Sequence, residues 1–293
     1  MSSKYSFIGA EKANYPVTKM CGWLLVSRSG YYGWSSREES AAEERRGQLR
    51  LLITKAFDDS HGTYGHRRVW AQLARWGVAA GLELVRRLMR ELGLAACQPR
   101  PWRATTARDG RVHTIPDLVQ RDFTAPAPGR KLVGDITYIH TWEGWLFLAT
   151  VIDCCTKEVI GWAMASHMQT GLISAAIDMA AVNISFADGV VFHSDRGSQY
   201  TSAEFASKLK EHGITQSLGR TGTCYDNAMA ESFFGALKNE WLHRMVFTTR
   251  AKARRMVVKY IEGFYNRQRL HSAIGYQTPY EARIAYLNEQ PAA

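Results

Sequence analysis

Apolar positions along the chain repeat with two different periods, and the change of period divides it. Before residue 98 they return every three or four places, as on helices. After residue 130 short runs of Val, Ile, Thr and aromatic residues alternate with helical stretches, the pattern of an α/β layer. Between the two, Pro99, Pro101, Pro116, Pro126 and Pro128 fall among Arg, Thr and Asp without periodicity, five of the eight prolines in one stretch. The expectation is a helical region over 1–97, a Pro/Arg-rich linker over 98–130, an α/β core over 131–270 and a C-terminal tail over 271–293.

In the helical region two patterns lie close together, 64–75 and 82–92, across Gly77 and Gly81. At about 100° per residue Val85, Leu88, Met89 and Leu92 form one stripe, and Arg86, Arg87 and Arg90 stand opposite. The pair suits a helix-turn-helix-like segment over about 62–95, and equally a plain hairpin with a soluble face. In the core, 131–140, 145–153 and 158–165 predict three consecutive strands, with Trp142-Glu143-Gly144 closing the first pair as a hairpin. Then come a helix over 170–182, a buried strand over 190–193, a helix over 201–211 opened by a capping box of Thr201 and Glu204, and a short strand over 214–218. Two long helices follow, over 226–243 and 249–266. This is the element order of a ribonuclease H-like core, a mixed five-stranded sheet with helices, preceded by a small helical domain.

Composition narrows the class. With 46% apolar and 22% charged residues the chain is neither disordered nor a coiled coil. No apolar run nears the roughly 20 residues of a membrane helix; the best, 146–155, is broken by Asp153. No export signal is visible, and five cysteines without framework spacing suit a reduced, cytoplasmic protein. The net charge of +10 is uneven: +9 over 1–130, −5 over 131–237 and +7 over 238–269. An acidic middle between basic blocks suits a polyanion held around a cation site, or merely solvated charge on helices.

Three carboxylates stand out. Asp135 lies mid-strand, where an acid is a poor β-former; Asp195 ends the apolar run Val190-Val191-Phe192-His193-Ser194; Glu231 rides on the long helix that follows, with 35 residues between it and Asp195. Each alone reads as a structural acid, but together, one mid-strand, one at a strand end and one on a helix edge, they suit a metal site. On that helix Ala230, Phe233, Phe234, Leu237 and Trp241 form the core stripe, and Glu231, Lys238 and Asn227 border it. All-oxygen ligands select Mg²⁺ or Mn²⁺, and two such ions roughly 3.5–4 Å apart promote in-line phosphoryl displacement. Zinc is disfavoured: His61 and His66 have a plausible gap, but Cys97 has no CxxC partner and adjacent Cys154 and Cys155 cannot both easily chelate. No GxSxG elbow, P-loop or GxGxxG after a strand occurs. Cys224 reads as a packed thiol, Asp153 as a turn-ordering acid, and His193 as a packed neighbour of Asp195 or a support for it.

At these residues the chain resembles the insertion-sequence-three family of transposases, in its catalytic second-reading-frame protein with a retroviral-integrase-type core. Ser27-Arg28-Ser29-Gly30-Tyr31-Tyr32 and Gly62-Thr63-Tyr64-Gly65-His66-Arg67-Arg68 are similar to the family's N-terminal motifs. Gly134-Asp135-Ile136-Thr137-Tyr138-Ile139 with Glu143-Gly144-Trp145, then His193-Ser194-Asp195-Arg196-Gly197-Ser198-Gln199-Tyr200, are similar to its first two acid motifs. Asp226-Asn227-Ala228, Ala230-Glu231-Ser232-Phe233-Phe234 and Leu237-Lys238 resemble the third, at the family's spacing of 35, and Tyr265-Asn266, Arg269, His271-Ser272 and Thr278-Pro279 its terminal signature. Leu132 departs from the usual Trp.

The resemblance implies an Asp-Asp-Glu triad of Asp135, Asp195 and Glu231 acting as both catalytic groups and ligands of Mg²⁺ or Mn²⁺, with two ions once DNA is bound. It implies cleavage of element ends and strand transfer by a 3′-hydroxyl. Lys238 is the expected DNA contact by position, and Arg86, Arg87, Arg90, Lys252, Arg255 and Lys259 are expected contacts by their basic faces. The implied partners are double-stranded DNA, further copies of the chain on paired ends, and an upstream-frame protein supplying the missing helix-turn-helix and zipper in the bacterial cytosol. A non-catalytic DNA-binding regulator and a simple metal nuclease are the competing readings.

Overall fold

The computed structural model describes residues 2–36, 40–97, 115–219 and 227–289. The chain divides into two compact units, Met1–Lys55 and Ala56–Ala293. In the first, α1 (Ser2–Glu11), α2 (Val17–Trp23) and α3 (Arg28–Ser35) enclose Tyr5, Ile8, Met20, Cys21 and Tyr31, and α4 (Ala41–Asp59) begins. Ser27 caps α3 by accepting the Gly30 N–H at 3.0 Å, which satisfies a donor that the helix itself leaves open.

The second unit opens with α5 (His66–Arg75) and α6 (Leu82–Glu91). Val69, Ala71 and Leu73 are buried on one helix, and Val85, Leu88 and Met89 on the other. Trp70 fastens the turn between them by donating its indole N–H to Ala80 O at 2.9 Å. Leu92 departs from the expected stripe. The helix ends at Glu91, and with the period lost the side chain is partly exposed. Within the linker expected over 98–130, residues 98–114 lie outside the described residues. The stretch after them runs against the core, where Leu218 N–H donates to Pro116 O and Val119 is buried.

The sheet comprises β1 (Lys131–Thr141), β2 (Gly144–Asp153), β3 (Val159–Ala165), β4 (Val191–Ser194) and β5 (Thr215–Leu218), in the order β3-β2-β1-β4-β5. The first three are antiparallel, and β4 and β5 run parallel to β1. The β1–β2 turn is two residues, Trp142 and Glu143, with Gly144 at φ 99°, a value that a side chain would strain. Helices α7 (Thr170–Asn183) and α8 (Ala203–Glu211) cover a core of Leu132, Ala149, Val151, Ile173, Phe192 and Phe205. Helices α9 (Ala228–Glu240) and α10 (Arg250–Val258) meet β1 and β2, toward which Leu146 and Leu148 alternate with the first set.

Three expected elements change on folding. Helix α8 is capped by Ser202, whose Oγ accepts the Phe205 N–H at 3.2 Å, and not by Thr201 with Glu204. Thr201 is held in the preceding turn, its N–H donated to Gly197 O, so it cannot also start the helix. The helix expected to 243 stops at Glu240 and gives way to a 3₁₀ turn, Leu242–Arg244. The helix expected over 249–266 widens into a π-helix at Lys259–Tyr265, where Asn266 N–H reaches back to Ile261 O. That extra width carries Tyr260, Phe264 and Tyr265 into one aromatic cluster with Phe233 and Trp241. Beyond it, α11 (Pro279–Glu289) occupies part of the stretch expected as a tail.

Candidate active site

Asp135 owes its place to β1. Gly134 before it has no room for a side chain, since a Cβ there would strike the Phe192 ring. That close approach lets β1 lie tight on β4, where parallel pairing sets Val133 beside His193. Continued two residues, the register brings Asp135 level with Asp195, just past the end of β4. Each carboxylate is held by a nearby backbone N–H: Asp135 Oδ1 accepts the Ile136 N–H at 2.7 Å, and Asp195 Oδ1 accepts the Gly197 N–H at 3.0 Å.

Glu231 stands in the first turn of α9, exposed beside the buried stripe Ala230, Phe233, Phe234 and Leu237. Asn227, buried at the start of that helix, donates its side-chain amide to Gly134 O at 3.0 Å and so ties α9 to β1 one residue from Asp135. Its Oδ1 is buried with no hydrogen-bond partner among the described residues, as is the hydroxyl of Thr150, the residue paired across from Asp135.

The electrostatics join the three acids. Burial, the Asp195 charge and then the Glu231 charge push the Asp135 carboxyl up to about 8, against the Ile136 N–H and Lys238. Burial raises Asp195 although its side chain reaches solvent, opposed by the Gly197 N–H and His193. Burial and the charge of Asp195 raise Glu231. Tyr200 is buried behind both aspartates and is raised well above its usual range, so it stays a neutral phenol. Three carboxylates that resist ionising side by side, with an orphaned amide oxygen nearby, suit a divalent cation with hard oxygen ligands. They do not close into a ready three-ligand cage among the described residues. Mg²⁺ does not require one, because water and substrate phosphate fill most of its octahedron.

Lys238, two turns along α9, is half-buried, with its ammonium 5.3 Å from the centre of the Tyr138 ring. Burial lowers its pKa and Asp135 opposes the shift, so it belongs to the same field as the acids. The other expected DNA contacts stand on other elements. Arg86, Arg87 and Arg90 are exposed on α6, the first 3.4 Å from Glu83 and the second 3.9 Å from Glu91. Arg255 and Lys259 are exposed, while Lys252 is half-buried and donates to Val246 O at 2.9 Å.

Asp153 orders its turn: it is fully buried and accepts from Gly129 N–H, Thr156 N–H and the Thr156 hydroxyl. His193 is buried against Ser217, with Nδ1 2.8 Å from its hydroxyl. Cys154 is buried and its thiol pushed up to about 12, which suits packing and not thiolate chemistry. Cys224 lies outside the described residues. His61 is stacked edge-on against Trp241 and Phe264, so it serves packing.

The periodicity missed Glu240. It sits on the core stripe, where it accepts two bonds from Arg269, at 2.8 and 2.6 Å, and one from the Tyr260 hydroxyl at 2.9 Å. A charge at an apolar stripe position was the available signal, since a buried carboxylate needs a partner.

Residues 125–224 match an integrase core domain, residues 212–279 a second integrase core domain model, and residues 43–102 an HTH-like domain. The chain is 40% identical over 267 residues to the insertion element IS600 uncharacterized 31 kDa protein of Shigella sonnei, covering 91% of this chain and 98% of that one. It is 38% identical over 278 residues to transposase InsF for insertion sequence IS3A of Escherichia coli strain K12, covering 94% and 96%. Among solved structures, the HTLV-2 integrase catalytic core domain in complex with magnesium aligns at 16% identity and a TM-score of 0.42, over 54% of this chain and 98% of that one. A simian T-cell lymphotropic virus intasome chain aligns at 12% identity and 0.45, over 82% and 75%.

Proposed function

From the premise that this chain belongs to the IS3 family of insertion-sequence transposases, and is a DNA transposase with an integrase-type core, we propose that Asp135, Asp195 and Glu231 are its catalytic acids. The supporting observation is the level placement of Asp135 and Asp195 on neighbouring parallel strands, with Glu231 close enough to shift Asp135. The three carboxylates would hold Mg²⁺ or Mn²⁺, two ions when DNA is bound, with the buried Asn227 Oδ1 as a further oxygen nearby. Such ions supply Lewis-acid polarisation of the scissile phosphate and stabilise the attacking and leaving oxygens.

What the chain's own residues do is hold and orient. The Ile136 and Gly197 N–H groups each fix one oxygen of an aspartate, which would leave the other oxygen of each for a metal ion. Lys238 carries positive charge to the same rim and would hold a DNA phosphate beside the break. The reaction is cleavage at an element end, followed by attack of the freed 3′-hydroxyl on a target phosphodiester. The basic faces Arg86, Arg87 and Arg90, and Lys252, Arg255 and Lys259, would grip duplex backbone away from the acids. Paired ends call for at least two copies of the chain, and an upstream-frame protein would add end recognition in the bacterial cytosol. No helix among the described residues is long and apolar enough to cross a membrane.

Substitution tests the assignment. Asp135→Asn, Asp195→Asn and Glu231→Gln should each cut end cleavage and strand transfer by a factor of about 10³ or more while DNA binding persists, assayed with Mg²⁺ or Mn²⁺. Cleavage near the wild-type rate in any one of them removes that residue from the mechanism. Activity that survives EDTA removes the metal.

A further inference from the structure

Next to the acids the sheet carries a surface that the chemistry above does not use. The β1–β2 hairpin exposes large aromatic side chains: Tyr138 is 58% exposed, Trp142 72% and Trp145 47%. Their arrangement follows from strand pairing. Tyr138 and His140 are two apart on β1, so they share a face, and Trp145 lies directly across from His140. The Trp145 ring meets Tyr138 at 5.0 Å and His140 at 5.2 Å, both edge to face. The hairpin end is braced from below, since Trp142 N–H donates to Phe247 O and Arg250 N–H to Glu143. The rings therefore stand on fixed backbone.

These rings line a hollow of about 600 Å³, closed on the far side by Lys238, Val246 and Phe247. That lies within the roughly 300–1,000 Å³ of small-ligand sites. Lys238 lines the hollow and also lies in the field of Asp135, so this one side chain links the hollow to the proposed triad. Exposed aromatic faces beside a cation, at the edge of a phosphate-handling site, match one chemistry. A base has a π-face to stack on the rings, and its own phosphate is an anion for the lysine.

We propose that this hollow is a stacking site for one unpaired nucleobase at the DNA end on which the acids act, with Trp145 and Tyr138 as the platform and Lys238 on the adjoining phosphate. The need for it is geometric. Asp135 is half-buried between strands, and a paired, stacked terminus presents its backbone at the rim, not in the recess. Drawing one base out of the stack lets the backbone bend inward, and the stacking replaces part of what unpairing costs. The inference rests on the proposed triad for its location, but not on that triad for its test.

The full chain is titrated in EDTA, so binding is read without cleavage, against three duplexes: blunt, with a short single-stranded overhang, and with the same overhang made abasic. The base-bearing overhang should bind about tenfold tighter than the other two. A 2-aminopurine in it should lose emission on binding. In Trp145→Ala and Tyr138→Ala the ratio of overhang to blunt affinity should fall to near one, and Trp145→Phe should restore it. Trp142→Ala repeats the measurement at a side chain too exposed to hold the sheet together. An abasic overhang that binds as well as the base-bearing one, or a ratio unchanged in Trp145→Ala, overturns the proposal. So does loss of a DNA-free oligomer in Trp142→Ala, which would make the patch a subunit interface. Because cleavage is not the readout, failure here leaves the triad standing, and failure of the triad leaves this result readable.

Discussion

Asp135 sits in surroundings far from those of a free side chain. Its carboxyl is pushed to about 8 by burial and by the neighbouring acids, whereas in an unfolded chain it titrates near 4. Between those two values the folded chain keeps a proton that the unfolded chain gives up. Stability of the metal-free protein therefore falls as pH rises from about 4 to about 8, and the loss is complete above the folded value. Asp135→Asn removes the titration while keeping the shape. Its melting temperature in EDTA should exceed that of the wild type by a margin that grows from about pH 5 to about pH 8, on the order of several degrees. Mg²⁺ should narrow the gap by giving the ionised carboxylate a counter-charge. A margin that is constant with pH would mean that Asp135 ionises as an ordinary surface acid.

At the scale of elements, the terminal signature is a clasp. Arg269 follows the π-helix and, although burial opposes its charge, Glu240 at the end of α9 holds it protonated. From the other side Arg68 of α5 lies 3.8 Å from Glu240 and donates to Leu270 O at 2.9 Å. The Tyr64 hydroxyl donates to Gln268 O at 2.7 Å and accepts the Leu270 N–H at 2.8 Å. Helix α9, which carries Glu231, is thus joined by the buried Arg269–Glu240 pair to the segment after the π-helix, and through the half-buried Arg68 to the helix-turn-helix-like α5. Glu240→Ala leaves a guanidinium buried without its carboxylate and should cost about 3–5 kcal/mol. In a denaturation experiment the double variant Glu240→Ala, Arg269→Met should recover much of that loss. A single variant within about 1 kcal/mol of wild type would show that the pair is solvated and the clasp is not one.

For the whole molecule, the question is how an acidic site holds a polyanion. The proposed triad sits in the −5 segment, flanked by segments of +9 and +7, so attraction to DNA would come from the flanks and not from the acids. The basic face of α10 and the π-helix is one such flank. Replacing Lys252, Arg255 and Lys259 together with Ser should flatten the log–log dependence of duplex affinity on salt, by roughly 0.9 for each phosphate no longer neutralised. Lys252 already spends part of its ammonium on Val246 O, so a drop of roughly 2 is expected. An unchanged slope would make this a solvated helix face.

Much of this was legible in the chain alone, and the reason is locality. Runs of Val, Ile, Thr and aromatic residues in β1, β2 and β3, the 3.6 period of α9, and an acid placed where a strand should carry an apolar residue are short-range patterns, so the sheet's element order and the acids proposed for the site could be read from the chain. Asp153 is legible as a turn-ordering acid for the same reason. The misses depend on atoms distant in sequence. Whether Thr201 or Ser202 caps α8 was decided by the turn that had already taken Thr201. Widening of the last core helix into a π-helix lets Tyr260, Phe264 and Tyr265 close on Phe233 and Trp241, a gain in packing that no window along the chain contains. Glu240 became a buried acid only because Arg269, 29 residues away, folds onto it. The stacking hollow exists only where strand pairing brings Trp145 across from His140 and α9 delivers Lys238 to Tyr138. Periodicity and residue type thus determined the elements and singled out the acids proposed for the site. Electrical coupling among those acids, and the surfaces beside them, had to await tertiary structure, because Coulomb and packing energies depend on distance in space.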